Sequence, residues 1–171
     1  MKDIANIVAI SSLIFYCIGM FCKNAGKTLI LFAIGDFIYA MSYILLDDFV
    51  TACTFILGIV VSAYLGYLGV KNKKTPIYIY VIFEICEVIS FLIFYTGPAE
   101  FLVLLANVVF VFFACLNKKD LFNLAVLFFA VTLLVYNIII GFVLGIIIET
   151  VMIITTLIEI ILDLYRKKSL K

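Results

Sequence analysis

The sequence predicts an all-α membrane protein: seven transmembrane helices, arranged as two parallel three-helix bundles joined by a connecting helix. Three observations predict it: an apolar composition, seven apolar runs of span length, and basic residues confined to alternate connections. Of the 171 residues, 67% are apolar and 13% charged, against about 45–50% and about 25% in soluble domains. A soluble domain of this size leaves much of its surface in water, so most of these Phe, Ile, Leu and Val side chains must face lipid. The lipid bilayer is therefore the first partner. A net charge of +1 without a basic stripe argues against a nucleic-acid partner.

A span needs roughly 20 mostly apolar residues. The first runs over 4–22, too long and too weakly flanked (Lys2 is followed by Asp3) for a signal peptide. Lys23, Asn24, Gly26 and Lys27 separate it from the second, 28–46, which Asp47 and Asp48 end. The third, 49–70, closes on Lys71, Asn72, Lys73 and Lys74. Thr75-Pro76 predicts a helix start, with Thr75 as N-cap and Pro76 at the first helical position. The fourth span, 76–96, ends at Gly97-Pro98, and the fifth, 99–116, at Asn117, Lys118, Lys119 and Asp120. Residues 121–164 as one helix would be about 66 Å long, roughly twice the hydrocarbon thickness. The chain must turn between Asn137 and Gly145, giving spans 121–140 and 142–164.

Charge sidedness orients the map. With the N-terminus outside, the first, third and fifth connections and the tail lie inside, where Lys and Arg are enriched. They hold Lys23, Lys27, Lys71, Lys73, Lys74, Lys118, Lys119, Arg166, Lys167, Lys168 and Lys171, eleven of the twelve basic residues. The other connections carry Asp47, Asp48 and Glu100 and no base. The expected orientation is N-terminus out, C-terminus cytoplasmic.

A shift of 93 residues lays spans 1–3 on spans 5–7 without a gap. Cys22 meets Cys115, Asn24 meets Asn117, Tyr43 meets Tyr136, Phe49-Val50 meets Phe142-Val143 and Lys74 meets Lys167. One span separates the copies, so both have the same orientation. The expected units are a first bundle over 1–74, a connecting helix over 75–97 and a second bundle with a short basic tail over 98–171.

Acids at membrane depth cost about 2.5–3.5 kcal/mol to insert and are candidates for function. Asp36 lies mid-span 2, Glu84 and Glu87 lie three residues apart mid-span 4, and Glu149 lies about two turns into span 7. Asn107 and Asn137 are polar neighbours at comparable depth or near the turn. Tyr43 and Tyr136 hold repeat-equivalent places near the outer surface. Together these eight are the candidates for binding a solute, cation or proton. The alternatives are protonated acids bonded across helices and, for the tyrosines, an interfacial belt. Glu159 and Asp163 read as interfacial ion pairs with Lys167 and Lys168, and Gly58, Gly66 and Gly69 as points of close helix approach. Cys17, Cys22, Cys53, Cys86 and Cys115 form no C-x-x-C pair and read as small apolar fillers. With no histidine, no metal, cofactor or catalytic residue is expected.

The stretch Tyr136-Asn137, Gly141, Gly145 and Glu149, running on to Leu164-Tyr165-Arg166, resembles the C-terminal half of the YgjV family of bacterial inner-membrane proteins. The resemblance extends loosely over spans 1–4. It implies a bacterial inner-membrane location and an architecture similar to the SWEET, PQ-loop and PnuC vitamin transporters, which share the 3+1+3 plan. The chain departs from the resemblance where Tyr43 and Tyr136 replace histidines of family members. It also lacks the Pro-Gln pair of PQ-loop proteins and the Trp and Asn pocket of sugar SWEETs, which counts against a sugar. The expected function is transport or facilitation of a small polar solute (sugar, nucleoside or vitamin-like). The alternative is a non-transporting membrane subunit or sensor, with a homo-oligomer as a further candidate partner. An intramembrane aspartyl protease is not expected: Gly35-Asp36 has Ala33 in place of the other motif glycine, and no second Asp lies at its depth.

Overall fold

The computed structural model describes residues 2–71, 73–116 and 118–169, without the side chains at 2, 3, 167 and 169. Asn72, Asn117 and Lys171, named above, lie outside the described residues, as does the Lys167 side chain. The described chain is seven helices: α1 (Lys2–Met20), α2 (Ala25–Ile44), α3 (Phe49–Val70), α4 (Ile77–Phe94), α5 (Glu100–Cys115), α6 (Lys119–Ile140) and α7 (Val143–Ser169). No strand occurs among the described residues.

Local chemistry sets the helix ends. Asn24 caps α2, its side-chain oxygen accepting from the Gly26 and Lys27 N–H groups at 2.8 and 3.3 Å. Asp48 caps α3 through the Thr51 N–H. Each thereby satisfies donors that a helix start leaves open. α6 ends at Gly141, whose φ of 72° is the left-handed conformation that a residue without Cβ adopts at little cost. The turn expected between Asn137 and Gly145 is thus only Gly141 and Phe142 long, and the Phe142 N–H bonds back to the Asn137 carbonyl at 2.9 Å.

Most boundaries shift by one to three residues, α2 starting at Ala25 rather than 28 because Asn24 caps it, and two departures have a further cause. Pro76, not Thr75, caps α4: its extended ψ of 134° holds it outside the helix, which starts at Ile77. α7 runs five residues past 164, because Arg166 is still held in the last turns by Asp163 and Glu159.

Among the described residues five helices are long and apolar enough to cross a membrane: α2, α3, α4, α6 and the 143–166 part of α7. The apolar parts of α1 and α5 are shorter. The 16 residues of α5 reach about 24 Å, against a hydrocarbon layer of about 30 Å.

The helices are inside-out by soluble standards. On α1 the large residues Ile4, Ile7, Ile10, Ile14 and Ile18 point outward, and Ala5, Ala9, Ser12 and Tyr16 point inward. With lipid outside, association rests on close packing and polar contacts rather than on apolar burial. The α2–α3 contact shows this: a Cβ on Gly26 would lie 2.7 Å from the Gly66 carbonyl oxygen, and one on Gly66 would lie 2.9 Å from that of Gly26. Of the three glycines expected to allow close approach, Gly66 and Gly69 do so against Gly26, the Gly69 carbonyl carbon lying 2.8 Å from the same Gly26 Cβ position, while Gly58 meets only Asp36 Oδ2 at 3.7 Å.

α2 packs between α1 and α3, and α6 between α5 and α7. Across the molecule α1 meets α7, and α3 meets α5. α4 rests against α3 and α5, and of its residues only Glu87 and Phe91 are buried.

Candidate functional site

The helical repeat places Asp36, Tyr39 and Tyr43 on one face of α2, at positions i, i+3 and i+7. That face points into the centre. There, Asp36, Asn107 of α5 and Glu149 of α7 line one cavity with Tyr16 of α1, Tyr39 of α2, and Thr54 and Gly58 of α3. The rest of the wall is apolar and largely aromatic, from Phe32, Phe55, Phe110 and Phe129. The cavity has a volume of about 30 Å³, room for one or two waters.

Both acids are buried, Asp36 at 9% and Glu149 at 3% exposure. The Tyr16 hydroxyl donates to Asp36 Oδ1 at 2.8 Å, and the Tyr39 hydroxyl donates to Glu149 Oε1 at 3.3 Å. Their second oxygens receive no hydrogen bond among the described residues. From Glu149 a polar file leads toward the α6–α7 turn. Tyr39 and Tyr43 hydroxyls lie 3.2 Å apart, and the Tyr43 hydroxyl lies 2.8 Å from Asn137 Oδ1. These three contacts join Glu149, Tyr39, Tyr43 and Asn137 with only two hydroxyl protons. The file is complete when Glu149 supplies a third proton, or when the Asn137 amide turns and its N–H₂ supplies it. The Asn137 Nδ2 has no partner in the present orientation. The file can therefore run in either direction, ending on an acid or on a carboxylate.

At the end where the α2–α3, α4–α5 and α6–α7 connections meet lies a wide vestibule of about 880 Å³. Asp47, Asp48, Thr96, Glu100 and Tyr136 line it, as does Phe142. The Tyr136 hydroxyl donates to Asp48 Oδ2 at 2.6 Å and accepts from Thr51 Oγ1 at 3.1 Å. Burial raises the Asp48 carboxyl above its ordinary range, against the lowering effect of the bonds from Tyr136 and Thr51. Glu100 folds back onto the Thr96 N–H at 2.8 Å and onto its hydroxyl. Tyr43, Asn137 and Phe142 stand between vestibule and cavity, with the Tyr43 and Phe142 rings 5.4 Å apart. Tyr43 and Tyr136 are both buried, so neither is a belt residue.

A family model described as Imp-YgjV, bacterial inner membrane protein, matches residues 3–168. The chain belongs to the YgjV family. It is a membrane protein of a bacterial inner-membrane family. No curated protein and no solved structure matches it.

In this YgjV chain the motif residues have separate structural tasks. Gly141 makes the left-handed turn. Gly145 leaves room for Asn137, since a Cβ there would fall 2.6 Å from Asn137 Cγ. Glu87 of α4 reaches Thr54 and Asn107, two of the cavity's polar liners, so α4 turns this acid inward. Glu84 is not part of the cavity; both its oxygens are covered and lack a partner.

At the opposite end Lys119 Nζ donates to the Met20 carbonyl at 3.3 Å and to Thr28 Oγ1 at 3.4 Å, closing α1 against α2 and α6. Arg166 pairs with Asp163 at 3.0 Å and Glu159 at 3.4 Å. The expected pairing of these acids with Lys168 is replaced by Arg166, which lies three and seven residues on along the same helix; the Lys167 side chain lies outside the described residues.

Sequence reasoning missed Tyr16, Tyr39, Asp48 and Glu100. For Tyr39 a signal existed: it shares a helical face with Asp36 and Tyr43. For Tyr16 the signal was a hydroxyl at mid-depth of span 1, which needs a partner there. Asp48 and Glu100 read as loop charges, because burial of a loop is not written in its sequence.

Proposed function

We propose that this YgjV chain is a transporter or facilitator of a small polar solute, and not an enzyme. The solute passes between two like-oriented three-helix units, α1–α3 and α5–α7, with α4 as the connecting span. The carrying observation is the cavity itself, with two buried acids, Asn107 and Thr54 in a largely aromatic wall and a polar file leading toward an open vestibule. The helix contacts support the two-unit reading. The middle helix of each triple touches both its neighbours, and the cross-contacts α1–α7 and α3–α5 exchange when the triples are swapped. That is the pattern of repeat-built transporters with a site at the repeat interface. Seven spans, with α1 and α5 as the short ones and the N-terminus outside, keep all the basic connections on one face. The barrier of Tyr43, Asn137 and Phe142 closes the cavity from the vestibule and the Lys119 contacts close the other end, which makes this an occluded form.

One observation favours the second reading, a non-transporting subunit or sensor: the cavity has room for only one or two waters. Reconstitution decides between them. Proteoliposomes are offered a labelled panel comprising a hexose, a nucleoside, a vitamin-sized heterocycle and methylammonium. Transport requires that at least one enters faster than into empty vesicles and that Glu149→Gln, at equal protein incorporation, abolishes the difference. Entry of none of them, or entry unchanged by Glu149→Gln, overturns it.

A further inference from the structure

The geometry points to the central cavity as a binding site for a small ammonium-type cation, of the size of ammonium or methylammonium. This rests on the transport reading for its biological use, but not for its chemistry. Among the described residues no Lys or Arg lines the cavity, and two carboxyls do. Each carboxyl has one oxygen held by a tyrosine hydroxyl and one without a donor. Asp36 Oδ2 lies beside Gly58, 3.7 Å from where a Cβ there would sit. A buried carboxylate is costly unless a cation or donor meets it, and the unused oxygens are the places for one.

The wall adds a second cue. Six rings, those of Tyr16, Phe32, Tyr39, Phe55, Phe110 and Phe129, line the cavity. Aromatic faces attract a desolvated ammonium through the ring quadrupole. An anion would meet two acids and no base. A sugar would need several paired donors and acceptors, and the space of about 30 Å³ admits one or two non-hydrogen atoms. An N–H₃⁺ group with at most one methyl fits the volume, the charge and the donor demand. Asn107 and Thr54 stand within the same wall, offering acceptor oxygens, and the Glu87 carboxyl lies behind them. The file from Glu149 to Asn137 can then run toward Glu149, so that the carboxylate keeps a donor while it faces the cation.

The experiment uses the full chain, purified in detergent. Thermal unfolding is followed as methylammonium chloride is added, against sodium chloride and choline chloride at equal ionic strength. Methylammonium is expected to raise the unfolding temperature in a saturable way, with sodium and choline well behind. Asp36→Asn and Glu149→Gln are each expected to weaken binding roughly tenfold or more, as loss of a charged partner does. Gly58→Ala guards against misfolded variants: its Cβ meets only an ordinary contact, yet it narrows the cavity and is expected to abolish the shift. Equal shifts with all three salts, no shift at all, or full binding by Gly58→Ala would overturn the proposal. Flux separates the two claims. Methylammonium bound while no member of the panel is carried into proteoliposomes leaves the site and removes the transport reading. Carriage of the hexose or nucleoside without methylammonium binding does the reverse.

Discussion

The Tyr43 hydroxyl lies 2.8 Å from Asn137 Oδ1, tying the C-terminal end of α2 to the last turn of α6. Both side chains are fully buried, so neither can exchange this partner for water. Tyr43→Phe should therefore leave an orphaned amide and cost about 1–3 kcal/mol. A double-mutant cycle with Asn137→Leu, read by unfolding in mixed detergent and denaturant, should give a coupling of roughly 0.5–3 kcal/mol. Additive effects would mean that the two groups do not meet.

The contact between α2 and α3 depends on the absence of two Cβ atoms. Gly66→Ala would put a methyl 2.8 Å from Ile30 Cγ1 and 2.9 Å from the Gly26 carbonyl oxygen. Overpacking of this kind costs about 1–3 kcal/mol. Gly58→Ala, on the same helix, meets nothing nearer than 3.7 Å and should be neutral or stabilising. Unfolding of the two variants side by side checks this; equal behaviour would contradict the close approach at Gly66.

Asp48 sets an acid-side dependence of stability. Its folded carboxyl, raised by burial above the ordinary 3.8, holds a proton more tightly than the unfolded chain does. The stability it contributes is fully present below 3.8 and is lost as pH rises through the folded value. The unfolding temperature should thus fall across that window on the alkaline side of 3.8, and Asp48→Asn should flatten the fall. A profile of the same slope in Asp48→Asn would assign the effect to another group.

Orientation is open to a direct measurement. A fluorescent protein fused after Lys171 and expressed in a bacterial host should fluoresce, while a periplasmic phosphatase at that position should be inactive. The opposite pair of results would turn the chain over and place the vestibule on the cytoplasmic side.

The helices were legible because a membrane span is a statement about composition and length, and both are written in the chain. The third span, 49–70, coincides with α3, since aspartates and lysines bracket it. The cavity acids Asp36 and Glu149 were legible because a carboxyl at that depth is costly, and Asn107 because a mid-span amide needs a partner. Tyr39 and Tyr16 were not, because a tyrosine in an apolar helix is equally at home in packing, in a belt or in a site. The exposure of Gly58 to the cavity, in contrast to Gly66, follows from which neighbour each faces, and that depends on the rotation of α3 against α2.

The two-residue turn at Gly141 and Phe142 has a mechanical consequence. Asn137 and Glu149 sit on the two arms of one tight hairpin, α6–α7, and Tyr39 and Tyr43 both sit on α2. The barrier between vestibule and cavity is therefore a single seam between two stiff bodies. Sliding or tilting the hairpin as a lever against α2 would part the whole seam at once, with no side chain needing to change its rotamer.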